Sequence, residues 1–85
     1  MFSVKACASG DEFQIIPDKP KRLDLESLKE KLKGCTTCNK YLIVLQKDGM
    51  QFSIYPTGKI LVRHVKQKER AEAEASRLYA LLGLA

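Results

Sequence analysis

Eighty-five residues, 45% of them hydrophobic, suffice for one domain over residues 1–85 with one core and leave no room for a second. No apolar run approaches the roughly 18 residues of a membrane span, and the amino terminus lacks a signal peptide's basic-then-apolar order; no membrane partner is expected, and the cytoplasm is the expected location. Fifteen Lys and Arg against ten Asp and Glu give a net charge of +5, which favours a polyanionic partner but supplies only the electrostatic part of a nucleic-acid footprint.

Phe2 to Ala8 alternates, with Phe2, Val4 and Ala6 on one side, and Glu12 to Ile16 is a second short β-like run after Ser9-Gly10-Asp11. The two form a hairpin, or only one of them joins a sheet. Pro17-Asp18-Lys19-Pro20-Lys21-Arg22 is a connection, because its prolines remove ladder donors and bias their predecessors to extended shapes; its three cations belong in solvent. A helix follows with marked ends. Asp24 suits an N-cap, Leu23 and Leu28 a hydrophobic staple, and Gly34 a left-handed C-cap. Leu25, Leu28 and Leu32 share one stripe, and Glu26, Lys29, Glu30, Lys31 and Lys33 form the wet side.

Cys35-Thr36-Thr37-Cys38 lies between this helix and the strands beyond it. The spacing suits two legs of a tetrahedral zinc site, but only Cys7 and His64 remain to complete four ligands. A disulfide or redox pair is an alternative, and thiols packed as small inert hydrophobes are the expected state. No metal and no cofactor is expected, with Cys35 and Cys38 the candidate ligands of a thiol or metal module.

Lys40 to His64 reads as three strands joined by two tight turns. Asp48-Gly49 tolerates the positive φ of a type I′ hairpin, which pairs Lys47 with Met50, Leu45 with Phe52 and Ile43 with Ile54. Pro56-Thr57-Gly58 suits a three-residue loop with Gly in the left-handed position, so that Tyr55 faces Lys59, Ile54 faces Ile60 and Phe52 faces Val62. Alternation then sorts the sheet in two. Ile43, Leu45, Met50, Phe52, Ile54, Ile60 and Val62, ending at His64, form a core face, and the same register points Tyr41 inward. The opposite face collects Leu42, Val44, Gln46, Gln51, Ser53, Tyr55, Lys59, Leu61 and Arg63, too apolar a blend for a plain solvated surface.

The closing stretch from Gln67 to Leu82 is alanine-rich and strongly helical, without a good capping residue at its start. Ala71, Ala75, Leu78 and Leu82 make its apolar stripe, and Lys68 with Glu72 and Arg70 with Glu74 are charged neighbours on the outer side. The expected fold is α+β: a two-layer sandwich of order β(β)-α-β-β-β-α, an antiparallel sheet with both helices packed on one face.

With these elements in place the chain resembles one repeat of the TATA-box-binding protein, whose full-length members carry two in tandem. The likeness runs from about Leu23 to Leu82. It rests on Leu23-Asp24-Leu25-Glu26 opening the first helix, on Ile54-Tyr55-Pro56-Thr57-Gly58-Lys59-Ile60-Leu61-Val62, where the family has an aromatic residue, a Gly-Lys turn and a Val-rich strand, and on the Lys-, Arg- and Ala-rich final helix. The resemblance implies DNA as the partner of the exposed sheet face, with Tyr55 as a wedge between bases, Lys59 on phosphate, and Leu61 and Arg63 toward base edges. A complete saddle would need two chains, hence a homodimer.

The partner-binding face is accordingly expected at Leu42, Gln51, Ser53, Tyr55, Lys59, Leu61 and Arg63, and takes DNA or another nucleic acid. The alternative is a protein-interaction or homodimerisation module using the same face. Neither a nucleophile with a positioned base nor a phosphate-cradling glycine loop is evident, and Asp11-Glu12, adjacent in a strand, point apart; no enzyme is expected.

Overall fold

The computed structural model describes residues 2–6, 11–19, 22–32 and 35–83. The expected C-cap at Gly34, the third cysteine Cys7, the cation Lys21, the helix-face residue Lys33 and the Ser9-Gly10 link lie outside the described residues. The fold is α+β. Strands β1 (Phe2–Ala6), β2 (Glu12–Pro17), β3 (Cys35–Cys38), β4 (Ile43–Lys47), β5 (Met50–Ile54) and β6 (Ile60–Arg63) form one open antiparallel sheet in the order β1-β2-β6-β5-β4-β3. Helix α1 (Leu25–Leu28), continued by a 3-10 turn at Lys29–Lys31, joins β2 to β3, and α2 (Lys68–Leu82) follows β6 as the last element.

Both early runs are therefore strands, paired from Phe2 with Pro17 to Ala6 with Phe13. The central hairpins keep the expected register, Lys47 with Met50, Ile43 with Ile54, Phe52 with Val62 and Ile54 with Ile60. Chirality enforces it. Asp48 and Gly49 both adopt positive φ (53° and 80°), as a type I′ turn demands, and Gly58 sits at φ 93° in the second turn.

One hydrophobic cluster fills the space between sheet and helices. Phe13, Ile15, Ile43, Leu45, Met50, Phe52, Ile54, Ile60 and Val62 from the sheet meet Leu25 and Leu32 and the α2 residues Ala71, Ala75, Leu78, Tyr79 and Leu82. Asp24 caps α1, accepting from the Ser27 amide (3.4 Å) and the Ser27 hydroxyl (2.8 Å); these bonds hold its carboxyl below the usual carboxylate range. In α2, Gln67 makes no side-chain cap bond, and Gly83 closes the helix at φ 78°.

Five sequence expectations need correction here, and two more, at Ser53 and Tyr41, are corrected with the open face below. The first helix is α-helical only from Leu25 to Leu28 and then tightens into the 3-10 turn at Lys29–Lys31, which still leaves Leu32 buried in the core. Residues 35–38 are an edge strand rather than a linker, paired with β4 from Cys35 opposite Leu45 to Cys38 opposite Ile43. His64 does not end the core face. Its positive φ of 65° turns the chain, leaving the imidazole exposed and putting Val65 in the core with its amide bonded to Asp11 O (3.2 Å). Glu74 is not on the outer side with Arg70 but 7% exposed, between Lys47 (3.6 Å) and Arg77 (3.2 Å). A carboxylate that deep persists only with such partners, and here they tie α2 to β4.

The fifth concerns the thiols, which are joined as a Cys35–Cys38 disulfide with Cα atoms 6.4 Å apart. In a regular strand, residues three apart point to opposite faces. A register shift between Cys35 and Thr37 adds one residue, so Cys35 opposes Leu45 and Cys38 opposes Ile43, both buried core-face positions. The bulge is what brings the two sulfurs together.

Candidate functional site

Among the described residues no element covers the second face of the sheet. Register places its side chains in rows. Glu12, Arg63, Gln51 and Gln46 run across one end, and Lys5, Gln14, Leu61, Ser53, Val44 and Thr37 across the middle. At the other end, one residue beyond the Ile43–Ile54 and Ile54–Ile60 pairs, stand Leu42, Tyr55 and Lys59. Register thus puts Gln51, Ser53, Leu61 and Arg63 on one face, with Tyr55 and Lys59 following at its end, while Leu42 belongs to the loop before β4. Leu42, Gln51, Tyr55, Lys59 and Leu61 are half-exposed and Arg63 is exposed. Ser53 departs from the expectation, being 6% exposed, because its short side chain is hemmed in between Leu61 and Val44.

The two ends of this face differ chemically. Arg63 is tied to Glu12 by an Nε to Oε1 contact of 3.4 Å, so the charge there is locally balanced. At the opposite end, Lys59 Nζ lies 5.7 Å from the Tyr55 ring centroid, a cation–π distance. A second such pair lies in the loop before β4, at the same end of the sheet, with Lys40 Nζ at 5.2 Å from the Tyr41 ring. Tyr41 does not point inward as alternation predicts; it is 68% exposed. The reason is a four-residue loop from Asn39 to Leu42. Asn39 Oδ1 accepts from the amides of Tyr41 (2.8 Å) and Leu42 (2.9 Å), and the Asn39 amide donates to Leu42 O (3.1 Å), so strand alternation stops at Ile43.

The turn between Tyr55 and Lys59 is held from three sides. Within it, the Tyr55 amide donates to Lys59 O (2.9 Å) and the Gly58 amide to Tyr55 O (3.0 Å). From the α1 side, the Leu23 amide donates to Pro56 O (2.8 Å). From beneath, the buried Tyr79 hydroxyl donates to Gly58 O (2.8 Å), its ring meeting Phe2 edge-on at 5.2 Å between centroids. Burial pushes that hydroxyl's pKa up to about 12. Sequence reasoning missed Tyr79 in this role, although its spacing of four from Ala75 and eight from Ala71 was a visible signal of an inward position. The Leu23 bond also brings exposed Arg22 to this end, and exposed Lys19 follows β2 past Pro17.

Among the described residues no group of three or more His, Cys, Asp or Glu could hold a metal, and the sulfurs of Cys35 and Cys38 are bonded to each other. Likewise no helix of the described residues is long and apolar enough to cross a membrane. No protein-family model, curated protein or solved structure matches the chain, so the chemistry of the face rests on its own residues.

Proposed function

We propose that this chain is a small, non-enzymatic binding domain that takes nucleic acid on its open sheet face. The observation that carries this reading is that two aromatic–lysine pairs, Tyr55 with Lys59 and Tyr41 with Lys40, stand at the same end of an uncovered sheet. A ring with a cation beside it offers a nucleic acid both of its recognisable surfaces, a base face and a phosphate. The resemblance to a TATA-box-binding protein repeat points to the same face, and the net charge of +5 suits the same partner.

The test is a salt series. Neutralising phosphates releases condensed counterions, so log affinity should fall linearly with log salt, at about −0.9 per contact for duplex DNA or −0.7 for single strands. Lys59→Ala should flatten that line by about one contact. Failure of duplex DNA, single strands and RNA alike to bind at low salt would remove the reading. The half-exposed Leu42, Val44 and Leu61 would then serve a protein interface, visible as concentration-dependent association lost on Leu61→Asp.

A further inference from the structure

We infer that the ligand is single-stranded nucleic acid, held by base stacking at the Tyr41–Tyr55 end of the open face rather than as a duplex laid along the sheet. The inference rests on the nucleic-acid reading above and narrows it. A duplex groove presents two phosphate rims, so a sheet lying along it needs cations at both ends of its strands. The face does not supply them. From Tyr55 to Gln51 is four residues, about 13 Å of strand, and the cation reached there is Arg63, already bonded to Glu12 at 3.4 Å. The row between offers Gln14, Leu61, Ser53 and Val44, with Lys5 only at the β1 edge.

The other end has what a single strand needs. An unpaired strand has one phosphate line and base faces free to stack, and aromatic rings flanked by cations are the common answer to both. Tyr55 and Tyr41 stand on adjacent elements, each with its own lysine, and Arg22 is brought near by the Leu23 bond to Pro56. The Tyr55–Lys59 turn is fixed in advance by Leu23 and Tyr79. Ordering it on binding therefore costs little entropy. Tyr41, on a loop set by Asn39 at the same end of the sheet, offers a second exposed ring, to which we assign the next base.

Fluorescence anisotropy with labelled single-stranded DNA and RNA of about eight nucleotides, against a duplex of the same sequence, tests this. The single strands should bind more tightly than the duplex. Tyr55→Ala and Tyr41→Ala should each weaken them about 5- to 100-fold with the salt slope unchanged, because a stacked ring releases no ions. Tyr55→Phe should bind as the parent does. Lys59→Ala and Lys40→Ala should each reduce the slope by about 0.7, and Arg63→Ala should leave it alone. Circular dichroism of each variant guards against misfolding, and Tyr41, largely in solvent, provides a variant that keeps the core intact. Tighter duplex binding that depends on Arg63, or single-strand binding indifferent to both tyrosines, would overturn the inference and leave nucleic-acid binding standing. Absence of any binding would overturn both.

Discussion

Strand β5 ends in two tight turns that solve the same problem with different means. At Asp48-Gly49 the backbone needs only positive φ, and both residues are exposed at a hairpin tip. At Pro56-Thr57-Gly58 the turn has that local geometry and, beyond it, an amide from Leu23 and a hydroxyl from Tyr79 on its carbonyls. A hairpin does not require such outside bonds, as the first turn demonstrates. Their presence at the second makes the Tyr55–Lys59 end a rigid platform joined to both helical segments, while the Asp48 end is a simple reversal. Rigidity and the aromatic–cation pairs coincide at the same end, which is the structural reason for locating the site there.

The largest expected effect separates the two ends by stability. Tyr79→Ala removes a buried ring, its edge contact with Phe2 and the bond to Gly58, and should cost on the order of 3–5 kcal/mol in urea unfolding. Asp48→Ala, which only places a less tolerant residue at positive φ, should cost about 1 kcal/mol. Equal costs would mean that the second turn gains nothing from its buttress.

Reduction of the Cys35–Cys38 disulfide probes the edge that leads into the Tyr41 loop. For so short a closed loop the chain-entropy account gives about 2 kcal/mol, so dithiothreitol should lower the urea midpoint correspondingly without changing the m-value. An unmoved midpoint would show that pairing with β4 alone holds β3 in place.

These contrasts also explain what could be read in the sequence. The two turns and the three strands they join were legible because Asp-Gly and Pro-x-Gly encode backbone chirality locally, and a period of two then assigns every side chain from Ile43 to Val62 to a face. The core-face residues from Ile43 to Val62, and the placement of Gln51, Ser53 and Leu61 on the opposite face, follow from that alone. Features that interrupt the strand and helix periods were not legible. Tyr41 escapes alternation because an Asn39 side chain takes over the backbone; Cys35 and Cys38 meet only through a bulge; His64 leaves the core because one left-handed residue lets Val65 enter. Glu74 is buried because Lys47 and Arg77 are there to receive it, and an i,i+4 pattern on the helix does not reveal that.

Gly49→Ala isolates the chirality of the simpler turn. A Cβ there would meet nothing within 4 Å, so the whole penalty is the left-handed backbone at φ 80°, about 1–2 kcal/mol by thermal or urea unfolding. A smaller loss would indicate that the hairpin tip relaxes, and would deepen its contrast with the pinned turn.

Tyr79→Phe makes the smallest change and tests the buttress by a single atom. The ring and its contact with Phe2 stay, while Gly58 O loses its buried donor, for a loss of about 0.5–1.5 kcal/mol near neutral pH. The hydroxyl also leaves a signature in pH. Its folded-state pKa is raised to about 12 by burial, against an ordinary value near 10, so the stability it confers is fully present below pH 10. Between pH 10 and 12 the unfolded chain has given up this proton while the folded one still holds it. The unfolded state then binds fewer protons, and stability falls as pH rises through that window. The measurement is the difference between parent and Tyr79→Phe rather than either curve alone, which isolates this one hydroxyl. That difference should be constant up to about pH 10 and shrink toward 12 as the parent loses its advantage. A difference that does not change over the window would place the Tyr79 hydroxyl in contact with water, and the turn that carries Lys59 would then be no better held than the one at Asp48.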